Sequence, residues 1–130
     1  MAELGMTWKL KTKYDDALAQ VPDRLKTEGF GLLTRIDVKA TLKEKLGVDF
    51  RRYQILGACN PTLAHQALGL DLGVGVLLPC NVVVYEADDG TAVVTAVDPM
   101  KTLAGMDPRF NALAGEVRLR LHRALAGLAA

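Results

Sequence analysis

Residues 82–97 read VVVYEADDGTAVVTAV. Two apolar runs rich in valine, Val82 to Ala87 and Thr91 to Val97, flank Asp88-Asp89-Gly90. The middle is a hairpin turn, with glycine where the chain needs positive φ. The second run therefore returns antiparallel to the first, and Pro99 stops it. Upstream, Val76 to Leu78 reads as a further short strand, separated from Val82 by Pro79.

Working outward, Asn60-Pro61 carries two helix-start signals in register: asparagine as N-cap and proline at the first helical position. The helix it opens runs from Pro61 to Leu68 and ends at Gly69. A strand from about Arg52 to Gly57 precedes it. Residues 32–38 alternate, Leu32, Thr34, Ile36 and Val38 against Leu33, Arg35 and Asp37, and a short helix over 39–46 follows, ending at Gly47. Residues 7–14 alternate more cleanly: Trp8, Leu10, Thr12 and Tyr14 lie on one face and three lysines on the other. Asp15 and Asp16 open a helix whose stripe is Leu18, Val21 and Leu25 and whose C-cap is Gly29; Pro22 should kink it or mark the first turn of a shorter one. The longest helix spans 108–128, with Phe110, Leu113, Val117, Leu121, Leu125 and Leu128 as its stripe. The pattern predicts an α+β fold: a mainly antiparallel sheet of about six strands, covered by helices on one face. No linker or repeat divides residues 1–130, so one domain is expected.

Composition removes several function classes. The chain has no serine, which excludes every serine-nucleophile mechanism. Sixteen Lys and Arg balance fifteen Asp and Glu, so no basic field advertises nucleic acid. The longest apolar stretch, about Leu70 to Tyr85, is interrupted by Asp71, Pro79 and Asn81, and no membrane span is expected. The N-terminus has no basic stretch followed by an apolar run, so the expected location is the cytosol, with Cys59 and Cys80 as reduced thiols. Six Asn and Gln among many Ala, Leu and Arg suggest a heat-adapted source.

One echo carries what chemistry the chain offers. Gly57-Ala58-Cys59-Asn60-Pro61 and Leu78-Pro79-Cys80-Asn81 each set a Cys-Asn pair beside a proline. Cys59 precedes a helix N-terminus, where dipole and free amides favour a thiolate. If the two strands pair, Cys80 approaches Cys59. Three readings stand. Two cysteines in a core behave as small hydrophobes. A thiol pair handles sulfur or redox chemistry. A metal site is completed by His65, although Cys-x5-His with a distant Cys matches no standard zinc spacing and falls one ligand short. His65 lies on the helix opposite Leu63, Ala64, Ala67 and Leu68, where an ordinary surface histidine is expected. Asn60 is expected to be occupied as the cap. Arg118, Arg120, His122 and Arg123 complement a helix C-terminus. Asp37 and Asp98, at strand ends, are expected to satisfy turn backbone. Gly73-Val74-Gly75 follows a helix and precedes a strand, the reverse of a dinucleotide loop.

Taken together, the segment 53–61, then Ala64 and Ala67-Leu68, then 77–86 resembles the bacterial and archaeal domain of unknown function 302 family. Glu28-Gly29-Phe30-Gly31, Ile36-Asp37-Val38 and Val97-Asp98-Pro99-Met100 fit the same pattern. The resemblance implies a TATA-binding-protein-like β-α-β(n)-α layout and a homodimer. It implies no activity, substrate, cofactor or catalytic residue. Cys59, Asn60, His65, Cys80 and Asn81 are the candidate ligand or thiol site. The leading expectation is a non-enzymatic small-ligand-binding or interaction domain. The alternatives are a thiol-dependent protein using Cys59 and Cys80, or a metal-binding one using Cys59, Cys80 and His65.

Overall fold

The computed structural model describes residues 4–128. In chain order the elements are β1 (Gly5–Lys13), α1 (Tyr14–Lys26), β2 (Gly31–Asp37), α2 (Val38–Leu46), β3 (Tyr53–Cys59), α3 (Pro61–Leu70), a 3-10 helix (Leu72–Leu77), β4 (Cys80–Glu86), β5 (Thr91–Val97), α4 (Pro99–Met106), a 3-10 turn (Pro108–Phe110) and α5 (Asn111–Ala126). The strands form one open antiparallel sheet of five, in the order β1-β5-β4-β3-β2. The fold is α+β, as the sequence predicts, with five strands in place of about six.

The missing strand is the Val76 segment. Two glycines flank Val74, and Asp71 accepts from the Gly73 amide, which starts a 3-10 turn in place of an extended run. Val76 is 88% exposed and joins no ladder. Pro99 does stop β5, and it also opens a helix that sequence reasoning missed. Asp98 caps α4 by accepting from the Met100 amide, the same device as Asn60-Pro61. The long C-terminal helix begins at Asn111, because Asp107-Pro108 first makes its own 3-10 turn. Tyr14 belongs to α1, not to the first strand, and α1 runs unbroken through Pro22 to Lys26.

One face of the sheet makes the core. Met6 and Leu10 of β1, Leu56 and Ala58 of β3, Val82 and Val84 of β4, and Ala92, Val94 and Ala96 of β5 point into it. There they meet Val21 and Leu25 of α1 and Val117, Leu121 and Leu125 of α5. Alternation sends the other residues to the opposite face. The ladder registers define its rows. Thr7, Thr95, Val83, Ile55 and Ile36 form one; Lys9, Val93, Tyr85 and Tyr53 form the next. Only Val93 among these is buried. Tyr53 and Tyr85 stack with ring centroids 5.4 Å apart, and Phe50 lies tilted against Tyr53 at 6.2 Å. Among the described residues, no helix is long and apolar enough to cross a membrane.

Candidate functional site

The β3–β4 ladder brings the two Cys-Asn motifs together at one end of the sheet. Ala58 pairs with Cys80 and Gly57 with Asn81. Gly57 has no room for a side chain: a Cβ there would stand 2.1 Å from Thr34 Oγ1 and 2.8 Å from Pro79 Cγ. Pro79, in a cis peptide with Leu78, therefore lies against the glycine. Both cysteines are free, Cys59 half-buried and Cys80 8% exposed. Burial pushes the Cys80 thiol up to about 11, with a smaller contribution from Cys59 nearby.

The cysteines line one apolar gap, together with Phe30, Leu78, Leu103 and Val117. The gap is narrow. Its volume is about 20 Å³, the room of roughly one water molecule. A ligand of several heavy atoms has no place there as the side chains stand.

The polar members of the motif are engaged in structure or point elsewhere. Asn60 is 7% exposed, and its side chain works in two directions. Oδ1 accepts from the Leu63 amide at 3.2 Å, and Nδ2 donates to the Glu28 carbonyl at 3.3 Å. Gly29 makes that second bond possible, since a Cβ on it would stand 2.8 Å from Asn60 Nδ2. Asn60 thus ties the start of α3 to the turn after α1. His65 and Asn81 are exposed and do not line the gap with Cys59, Asn60 and Cys80. Strand alternation places Asn81 on the exposed face, opposite Cys80. Helical periodicity places His65 in solvent, away from buried Leu63 and Ala67. Among the described residues, no three His, Cys, Asp or Glu side chains are grouped to hold a metal, so the Cys59, Cys80 and His65 set does not converge.

Other charges are also paired. Asp37 accepts from the Ala40 amide, as expected of a strand-end carboxylate. Asp98 caps α4 and meets Arg118 at 3.2 Å. Arg120 meets Glu116, and Arg123 meets Glu28, each at 2.7 Å. His122 packs its ring on Trp8, 5.6 Å between centroids. One cluster escaped sequence reasoning. Arg52 binds both oxygens of Asp15 at 2.8 Å, pairs with Glu86, and lies 4.6 Å over the Tyr14 ring. The two carboxylates stand 34 and 37 residues from Arg52, and no local spacing signals them.

Burial and access set the order of thiol reactivity. Labelling with a neutral alkylating agent at neutral pH is expected to modify Cys59 first and Cys80 only after unfolding. Mass mapping of the labelled peptides reads the order. Equal rates at the two positions would contradict it.

The family Domain of unknown function DUF302 matches residues 6–128. The chain is similar to a crystal structure of an uncharacterized conserved DUF302 protein from Bacillus stearothermophilus. The two are 35% identical, with 98% of this chain and 99% of that one covered and a TM-score of 0.88. No curated protein matches the chain.

Proposed function

The chain belongs to the DUF302 family, and from that premise we propose that it is a non-enzymatic interaction domain whose working surface is the uncovered face of the sheet. The observation that carries the reading is the composition of that face. Ile36, Tyr53, Ile55, Val83 and Tyr85, with buried Val93 beside them, occupy positions where a solvated sheet carries polar residues. A contiguous apolar patch of this size on a monomer marks an interaction site. The Cys-Asn turns then serve the fold: Asn60 caps, Gly57 and Pro79 pack, and Cys80 fills core.

The occupant we assign to the face is a second copy of the chain, related by a two-fold axis. Area supports this. Five strands of about seven residues present a face of about 550 Å², from a strand spacing of about 4.8 Å and a rise of about 3.3 Å. Two such faces bury about 1,100 Å², just above the lower bound of about 1,000 Å² for a specific interface. The layout we read as TATA-binding-protein-like. Setting aside α2 and α3, which interrupt consecutive strands, leaves a strand, a helix, four strands and C-terminal helices. Sedimentation equilibrium of the wild-type chain at micromolar concentration is expected to give twice the 14.0 kDa chain mass. A single monomeric species across that range would overturn the assignment.

A further inference from the structure

Residues 31–50 are the part of the molecule least accounted for by its own core. In β2 only Leu32 is even half-buried. Helix α2 has no buried residue, and residues 47–50 are all exposed. The excursion nevertheless keeps its shape. Asp37 caps α2, Lys39 Nζ donates to the Phe50 carbonyl at 2.8 Å, Gly47 closes the helix at φ 68°, and the β2–β3 ladder anchors one side. These are local bonds, and the apolar burial beside them is partial, from Leu32, Val38 and Leu42.

On this frame the segment displays Leu33 at 66% exposure, Ile36 at 47%, Leu46 at 69%, Val48 at 45% and Phe50 at 40%. The two sheet edges differ in the same sense. Edge strand β1 carries exposed Lys9, Lys11 and Lys13, the charges that keep an edge from pairing. Edge strand β2 carries one cation, Arg35, among Leu32, Leu33 and Ile36. The exposed side chains also run without a break into the uncovered sheet face. Ile36 sits beside Ile55 in the ladder, and the Phe50 ring meets the stacked Tyr53–Tyr85 pair at a tilt of 50°.

We propose that residues 31–50 form a dimerisation arm that closes over the uncovered sheet face of a second copy, each copy's arm on the other's face. This rests on the sheet-face dimer above and names the element that completes it. The sheet face alone, about 550 Å², falls short of the roughly 800 Å² per partner of a standard interface. Leu46, Val48 and Phe50, which lie outside the strands, add about 50 Å² apiece and bring the surface to about 700 Å², within the range of about 600–1,000 Å² per partner of standard interfaces. The arm's local hydrogen bonds hold it ready, so little ordering is required on association.

The test is sedimentation equilibrium on the wild-type chain and on Leu33→Lys and Leu46→Lys made singly, with circular dichroism on each. Neither residue touches the core, so both variants should fold as the parent. Each should raise the dimer dissociation constant by about 30-fold or more, the loss expected when a well-buried contact is removed. If the wild type dimerises and both variants dimerise equally well, the arm is overturned and the sheet-face reading survives. If the wild type is monomeric, the occupant is another partner and both are overturned. If both variants lose the native spectrum, the arm belongs to the core and the proposal fails.

Discussion

Val117→Asp is expected to abolish the cooperative melting transition or to lower it by tens of degrees. Val117 is 5% exposed on the face of α5 that meets the sheet, beside Phe30, Leu103 and Cys80. That shell offers a carboxylate only the weak thiol donors of Cys59 and Cys80, the Asn60 amide already donates to the Glu28 carbonyl, and the adjacent Arg118 is held by Asp98. An unpaired charge there costs several kcal/mol, or the side chain stays protonated at a similar cost. A chain of this length has about 6–20 kcal/mol of stability in all. Thermal denaturation followed by circular dichroism reads the effect. A variant that melts like the parent would mean that α5 buries a different stripe.

Raising the pH from about 9 to about 11 is expected to remove about 2 kcal/mol of stability through Cys80 alone. The folded thiol titrates near 11, above its ordinary 9.0, because burial disfavours the thiolate. The unfolded chain releases that proton first. The contribution is therefore complete below pH 9 and is lost as pH climbs through 11. Tyr14 and Tyr53, also raised chiefly by burial, push in the same direction, and a comparison with Cys80→Val isolates the thiol. Urea titrations of parent and variant at the two ends of this range read the difference. Equal losses in both proteins would contradict the assignment.

How much of this was legible in the sequence depends on the range of the interactions. The hairpin at Asp88-Asp89-Gly90, the Asn60-Pro61 helix start and the stripe of α5 are local signals, and each appears where expected. Helix α4 is the instructive miss. Asp98-Pro99 carries the same cap-and-proline signal as Asn60-Pro61, but its proline reads equally as the end of a strand. The apolar Val76 segment is ambiguous for a different reason: three hydrophobic residues fit a strand or a turn, and the Asp71 cap decides for the turn. At the candidate site, the outward placement of His65 and the capping role of Asn60 follow from helical spacing. The pairing of Ala58 with Cys80, which buries one thiol and half-buries the other, is a register between strands more than twenty residues apart, and no local pattern encodes it. The uncovered face is similar. Strand alternation identifies two faces, but only the strand order shows that Ile36, Ile55 and Val83 stand side by side.

That face is the proposed dimer surface, and Val83→Asp tests it. Val83 lies at the middle of the sheet between Ile55 and Thr95, pointing away from the core. In a monomer its carboxylate meets water at modest cost to the fold. In a dimer it stands unpaired in the centre of the interface, where truncations and charges cost most. Sedimentation equilibrium of this variant is predicted to show a folded monomer under conditions where the parent is a dimer. A variant that dimerises like the parent would contradict the assignment of the sheet face as the working surface.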